Sequence, residues 1–128
     1  MSSNMEINTE IKENIRWHTV KGVIDIAKLT DYLKQIYTSP NFDSNMDTFW
    51  NLLEADFSSV MSKDVQELSR FVREYWGKEG KSKAALIVPN DLGFGLSRMY
   101  ETFSDMDSSS KISVFKDIDE AKKWIKSD

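Results

Sequence analysis

Apolar residues change their spacing several times along this chain of 128 residues. The clearest extended stretch is "KAALIVP" at residues 83–89, a short apolar run of strand length. Apolar residues at helical spacing follow directly, in Leu92, Leu96 and Met99. Strands that alternate with amphipathic helices favour a mostly parallel sheet, with right-handed crossovers and helices packed on its faces.

The same reading over the whole chain predicts the element order β-β-α-β-α-β-α-β-α. The first two strands form an antiparallel hairpin around residues 12–14, and Gly22 is predicted to end the second strand. The stretch 48–55 is bulky on both faces and fits a strand in the middle of the sheet. We therefore predict an α/β fold with a mixed, mostly parallel sheet and four flanking helices. It forms one domain over residues 1–128, with a core at about 5–126.

Polar residues mark the predicted helix starts. Asp25, Ser62 and either Asn90 or Asp91 precede apolar residues at helical spacing, and each can accept the free amides of a first turn. Asp117 followed by Glu120 predicts a capping box for the last helix.

Composition excludes several classes of protein. The net charge of −4 and the pI near 5.1 argue against nucleic-acid binding, which needs clustered Lys and Arg. The lack of cysteine excludes disulfides and thiolate metal sites. No apolar run approaches the roughly 20 residues of a membrane span, and the first residues lack a signal-peptide core. We expect a cytoplasmic protein.

Two glycines, Gly93 and Gly95, open the predicted third helix and could indicate a phosphate cradle. A dinucleotide fingerprint needs a third glycine where this chain has Arg98, and no Walker-type lysine follows. The alternative is that the glycines let the helix lie close to the sheet or leave space above the strand ends. Because a helical glycine costs about 1 kcal/mol, we expect a packing or functional reason for them.

Catalytic candidates are few. His18 is the only histidine, and its place in a strand beside Trp17 favours a hydrogen-bonded or surface imidazole over a general base. Glu54 and Asp56 could form an acid pair but are equally explained as solvated strand-end groups. We expect no metal and no cofactor.

Four stretches of the chain resemble the STAS-like family, whose fold is that of the anti-sigma-factor antagonists and which is often grouped with CRAL-TRIO lipid-binding domains. The stretches are "IRWHTVKG", "LLEADFSSV", "KAALIVPNDLGFGLSRMYETF" and "ISVFKDIDEAKKWI". The last two are the most specific, and the resemblance covers roughly residues 5–126.

The resemblance implies a non-enzymatic regulatory or protein-interaction domain whose partner surface surrounds the second helix. In anti-sigma-factor antagonists a serine before this helix is phosphorylated by a partner kinase. This chain lacks the family's Asp-Ser-Ser-Gly pattern there, and helix capping alone explains Ser62. We therefore expect no phosphorylation switch at Ser58, Ser59 or Ser62.

Three alternatives stay open. The first is a carrier or sensor of a small hydrophobic, lipid-like ligand bound at the start of the third helix, near the strand ends. Its candidate binding residues are Asp56, Gly93, Phe94, Gly95, Arg98, Met99 and Tyr100. The second is an enzyme site formed by Asp56, Arg98 and the amides near Gly93. The third is a homodimer formed through aromatic residues such as Trp50 or Trp76, which could equally belong to the core.

Overall fold

Strands and helices follow one another in the order that the sequence predicts. The computed structural model describes residues 5–43, 45–76, 82–104 and 111–127. Its strands are β1 (Glu6–Lys12), β2 (Ile15–Val23), β3 (Asp47–Asp56), β4 (Lys83–Ile87) and β5 (Lys111–Phe115). Its helices are α1 (Ile26–Tyr37), α2 (Ser62–Trp76), α3 (Asp91–Ser104) and α4 (Ile118–Lys126).

The strands form one mixed sheet in the order β1-β2-β3-β4-β5. β1 is antiparallel to β2, and the other neighbouring pairs are parallel. The predicted fold class, including the antiparallel N-terminal hairpin and the central place of β3, is thus confirmed. The prediction that β2 ends at Gly22 is wrong, because the strand continues to Val23. Gly22 has a φ of 89°. Glycine adopts this conformation without the steric cost of a side chain.

A two-residue turn joins β1 to β2. Glu13 and Asn14 have φ values of 56° and 58°. Positive φ at both central residues is the signature of a type I′ turn, whose twist matches that of the flanking strands. The turn fixes the register, with Lys12 opposite Ile15 and Glu6 opposite Lys21.

The two faces of the sheet carry separate apolar cores. Helices α1, α2 and α3 cover one face over Val20, Leu52, Ala84, Leu86 and Ile112. Helix α4 covers the other face, where Ala121 and Ile125 pack with Ile15, Phe49, Ala85 and Ile87. β3 and β4 supply side chains to both cores, as buried strands of a parallel sheet do.

A bulge interrupts the regular alternation of β3. Thr19 of β2 pairs with Asn51, and Lys21 pairs with Glu54, so two residues of β3 oppose one residue of β2. The Asn51 side chain accepts a hydrogen bond from the Leu53 amide at 3.1 Å. Consecutive exposed residues, Leu53 and Glu54, therefore occur in a strand that is otherwise largely buried.

Side chains cap three helices as predicted. Asp25 accepts from the Lys28 amide at 3.2 Å, Asn90 from the Gly93 amide at 2.9 Å, and Asp117 from the Asp119 amide at 2.8 Å.

The prediction that Ser62 caps α2 is wrong. Ser62 is the first helical residue of α2, and the Met61 carbonyl accepts from the Val65 amide at 3.2 Å. The Asp64 carboxylate reaches back to accept from the Met61 amide at 2.9 Å. An acidic side chain in the first turn thus satisfies the free amide, and the helix starts without a capping serine.

Gly93 lets α3 approach the chain that leads into α2. A Cβ built on Gly93 would lie 2.9 Å from Cε1 of Phe57 and 3.3 Å from Cβ of Val88. A Cβ on Gly95 would meet nothing within 4 Å. Close packing, one of the two predicted reasons for these glycines, therefore holds for Gly93 and not for Gly95.

The sequence also predicts that the second helix ends at Gly77 and Gly80, that Met106 continues the apolar face of the third helix, and that residues 108–110 form a loop. These positions lie outside the described residues. None of the described helices combines the length and apolarity that crossing a bilayer requires.

Alanine substitutions at the two glycines should change stability in opposite directions. Gly93→Ala should lower the free energy of unfolding by about 1–3 kcal/mol, since the buried Phe57 ring has to move. Gly95→Ala should raise it by about 0.5–1 kcal/mol, because alanine is the better helix former and the space is open. Urea denaturation of both variants measures this. Equal effects at the two positions would contradict the assigned packing.

Candidate functional site

An apolar cavity of about 100 Å³ lies between the sheet and helices α1, α2 and α3. Its floor comes from the sheet, through residues such as Trp50, Ala84 and Leu86. Its walls come from the inward faces of the three helices, and they include Leu29, Leu33, Leu68 and Leu96. A space of this kind, with few polar partners to offer, stays dry and accepts apolar atoms rather than water.

Few polar groups reach this cavity. Tyr37, Ser97 and Tyr100 are its lining residues with side-chain hydroxyls. Burial raises the pKa of Tyr37 well above its ordinary value, and the nearby Tyr100 adds to the rise. The Tyr37 ring also stacks with Phe71, with a centroid distance of 6.2 Å. The lining thus offers shape and apolar contact with a neutral phenol at one side.

The predicted ligand residues of α3 fall into two groups. Tyr100 lines the cavity, together with Leu96 and Ser97, which the sequence prediction did not include. Met99 and Phe94 are half-buried, and Phe94 packs against the same core under the ammonium of Lys116, 5.1 Å from its ring centre.

The other predicted ligand residues lie outside the cavity lining. Gly93 is covered by Phe57, and Gly95 faces open space. Arg98 is exposed and pairs with Glu101 at 3.3 Å. Asp56 is exposed, and its carboxylate accepts from the Ser58 amide at 2.8 Å. Hydrogen bonds from the Ser58 hydroxyl and, to a smaller extent, from its amide lower the pKa of Asp56 below its ordinary value.

The three groups of the predicted enzyme site each have a local partner. Asp56 holds its own loop, Arg98 binds Glu101, and the Gly93 amide donates to Asn90. None of these contacts poises a proton donor or a nucleophile toward a reacting atom. Within the described residues, no three His, Asp or Glu side chains are grouped so that they could hold a metal ion.

Two large apolar side chains are exposed where α2 and α3 begin. Met61 is 60% exposed and ends the loop that leads into α2, and Leu92 is 52% exposed in the first turn of α3. The contact between Phe57 and Gly93 joins the two segments. Ser58 and Ser59 are exposed in the same loop. We call Met61, Leu92, Ser58 and Ser59 the carboxyl-edge patch, since they lie beyond the carboxyl ends of β3 and β4.

Leu92 differs from its predicted environment, and of the two alternatives for Trp50 the structure shows the core. Leu92 was predicted to continue the buried stripe of α3, but it precedes the point where Gly93 brings the helix against Phe57, and it faces solvent. Trp50, considered above as a dimer contact or a core residue, is half-buried in the cavity floor and stacks on His18 at a centroid distance of 4.0 Å. The side chain of Trp76 lies outside the described residues.

Solved structures share the fold of this chain. An uncharacterized protein from the DUF3478 family of Shewanella loihica PV-4, which has a SpoIIAA-like fold, superposes with a TM-score of 0.59 at 19% identity over 98% of both chains. The chain has the SpoIIAA-like fold. An anti-sigma factor antagonist from Mycobacterium paratuberculosis superposes with a TM-score of 0.56 at 16% identity, over 99% of this chain and 100% of the other. No family model and no curated protein matches the sequence.

At the level of fold, these comparisons confirm the STAS-like resemblance. Identities of 19% and 16% establish a shared fold. The chemistry of the site follows from the residues of this SpoIIAA-like domain themselves.

A row of buried polar side chains runs along the α1 side of β2. His18 is 2% exposed, and its Nδ1 lies 2.8 Å from the hydroxyl of Thr9, which also hydrogen-bonds to Tyr32. Burial, together with the nearby charge of Arg16, lowers the pKa of His18 to about 3. The imidazole is therefore neutral and hydrogen-bonded, which agrees with the interpretation of His18 as a structural residue.

Arg16 is a buried cation that the sequence analysis did not single out. It is 4% exposed, and its guanidinium donates to the Thr48 hydroxyl and to the Asp43 carbonyl, both at 3.4 Å. The group lies 5.1 Å from the ring centre of Phe42. Burial lowers the pKa of Arg16, while Tyr37 and Asp43 oppose the shift.

The cavity residues of α1 and α2 were also missed as candidates. Leu29, Leu33 and Leu68 belong to regular apolar stripes, which sequence alone interprets as core. The signal that could have drawn attention to the space is the smallness of Ala84 in the middle of a buried strand.

His18 should make the protein less stable as the pH falls below about 6.5. The unfolded chain binds a proton near pH 6.5, whereas the folded chain resists protonation down to about pH 3. Folding is therefore penalised increasingly as the pH falls through this window. From pH 6.5 to pH 5 the free energy of unfolding should drop by about 1.5 kcal/mol.

Urea denaturation at a series of pH values measures the effect. His18→Gln should remove most of the slope between pH 6.5 and pH 5, whatever its stability at pH 7, because glutamine does not titrate. The same slope in the variant would show that other groups cause it.

Proposed function

We propose that this SpoIIAA-like domain is a regulatory protein-interaction domain whose partner binds the carboxyl-edge patch. The observation that carries the proposal is the exposure of Met61 and Leu92, at 60% and 52%, on two segments that touch through Phe57 and Gly93. Large apolar side chains exposed on neighbouring segments are typical of surfaces that become buried on association.

The resemblance in fold supports the same location for partner binding. The similar Mycobacterium paratuberculosis structure is named an anti-sigma factor antagonist, and such a protein acts on another protein. The resemblance described above puts the family's partner surface around the second helix. In this chain the loop before α2 carries Met61 where the antagonists carry a phosphorylated serine motif. We infer that association is governed by apolar contact, without a serine switch.

A local chemical feature agrees with constitutive binding. The Asp56 carboxylate accepts a hydrogen bond from the Ser58 amide at 2.8 Å, and this contact orders the loop. Asp64 accepts from the Met61 amide at 2.9 Å, so the helix start is already satisfied by a carboxylate. A phosphate placed on Ser58 would add negative charge beside the Asp56 carboxylate and would be repelled.

Substitution of the patch should separate partner binding from folding. Met61→Asp and Leu92→Asp each place a charge in the proposed contact and should weaken partner binding at least about tenfold, because hot-spot truncations cost about 2 kcal/mol or more. Both residues are exposed, so the free energy of unfolding should change by less than about 0.5 kcal/mol.

Photo-crosslinking in the producing cell identifies the partner first. A photoreactive side chain at 61 and at 92 should capture the same protein, whose affinity for the purified variants is then measured. Gln35→Glu, an exposed site on the last turn of α1, adds the same charge and serves as the control. Capture of different proteins at 61 and 92, or equal affinity of all three variants, would contradict the proposal.

A second candidate function is the carriage or sensing of a small apolar ligand. The cavity of about 100 Å³ favours it, since its lining is almost entirely aliphatic and aromatic and its floor includes two small or branched side chains, Ala84 and Ile112. Its position shifts the proposed site from the start of α3 to the second and third turns, at Leu96, Ser97 and Tyr100. A ligand of one aromatic ring or a short alkyl chain matches this volume.

Toluene is a suitable probe for this candidate. Methyl resonances of Leu86 and Ile112 should shift saturably when toluene is added, and Ala84→Leu should abolish the shifts because the larger side chain fills the floor. Overpacking of this kind costs about 1–3 kcal/mol, so thermal unfolding checks that the variant is folded. Shifts that do not saturate, or that persist in folded Ala84→Leu, would remove this candidate.

A further inference from the structure

The outer edge of β1 is open within the part of the chain that the structure describes. β1 pairs with β2 on one side, and among the described residues no strand pairs with its other side. Most of β1 is exposed, and Ile11 is 62% exposed, more than the other large apolar side chains exposed in the described residues. Open edges of this kind pair readily with another strand.

The hairpin turn determines which backbone groups point outward. In a type I′ turn the residues that flank it, Lys12 and Ile15, form a hydrogen-bonded pair. Hydrogen-bonded pairs alternate along an antiparallel ladder, so positions 6, 8, 10 and 12 bond to β2. The amides and carbonyls of Ile7, Thr9 and Ile11 therefore point away from the sheet and are available to a new strand.

The side chains of β1 are self-complementary about Thr9. When a second copy of the strand runs antiparallel with Thr9 opposite Thr9, Glu6 lies opposite Lys12 and Ile7 opposite Ile11. Each of these pairs occurs twice, once on either side of the two-fold axis. Opposite charges and apolar pairs that face each other across strands stabilise a sheet.

Neighbouring registers are less favourable. When the partner strand is shifted along β1, only shifts by two residues keep the outward-pointing backbone groups of the two strands opposite one another. A centre at position 8 places Glu6 opposite Glu10, and a centre at position 10 places Glu10 opposite its own copy. Like charges directly opposite destabilise a strand pair. The pattern of charges thus selects the Thr9 register.

We propose that β1 pairs with β1 of a second copy of this chain, antiparallel and centred on Thr9, and extends the two sheets into one. The contact covers the exposed Ile11 side chain with the partner's Ile7 on the face that carries Thr9. It leaves the carboxyl-edge patch open, because that patch follows β3 and β4, and β2 separates those strands from β1 in the sheet. The interface is therefore distinct from the proposed partner surface.

Charge exchange tests the register. Glu6→Lys and Lys12→Glu each place like charges opposite each other twice and should raise the dimer dissociation constant by about tenfold, given two pairs of moderate strength. The double variant Glu6→Lys/Lys12→Glu restores opposite charges and should recover the original constant. An equimolar mixture of the single variants should form a heterodimer in preference to either homodimer.

Sedimentation equilibrium of the full chain over micromolar to millimolar concentrations provides the measurement. Ile11→Pro removes an outward amide without touching the β2 ladder and should abolish the dimer, while circular dichroism confirms the fold. Amides of Ile7, Thr9 and Ile11 should exchange with solvent more slowly as the concentration rises. A monomer at millimolar concentration, or a dimer that Ile11→Pro and the charge variants leave unchanged, would overturn the proposal.

Discussion

Burial of β3 and β4 on both faces is the constraint on which the rest of the structure depends. Ala85 and Ile87 face α4, while Ala84 and Leu86 face α1, α2 and α3. Neither strand could expose such side chains to water on one side, so the sheet needs helices on both faces. The alternation of strands and helices along the chain supplies them in the required order.

The two faces meet this constraint differently. On one face a single helix, α4, packs Ala121 and Ile125 against Ala85, Ile87 and Phe49, all of them buried. On the other face three helices share the area, and their leucines do not fill the space above Ala84. The cavity results from covering a wide face of the sheet with the apolar faces of three helices. A small apolar ligand could bind in it.

Local patterns predicted most of the fold. Periodicity located every described strand and helix, and the capping roles of Asp25, Asn90 and Asp117 followed from the chemistry of a first turn. Ser62 misled because α2 begins one residue earlier than a Ser62 cap requires, with Asp64 in its first turn accepting from the Met61 amide. The bulge in β3 could not be predicted, since it depends on how Thr19 and Lys21 of a separate strand align with it.

The site was less predictable because it is built from long-range packing. Tyr100 was among the predicted ligand residues, but Leu33, Trp50 and Leu68 come from three other elements and look like ordinary core in sequence. Gly93 illustrates the same limit, for its packing role is visible only when Phe57 is placed against it. The exposure of Met61 and Leu92 likewise follows from where α2 and α3 begin.

Crystals pressurised with xenon would test the asymmetry between the two faces most directly. Xenon binds in apolar cavities and reports their position without requiring a specific ligand. The account predicts xenon between the sheet and α1, α2 and α3, in contact with Leu33 and Leu86, and none beneath α4. Xenon beneath α4, or an empty space beside Leu86, would contradict it.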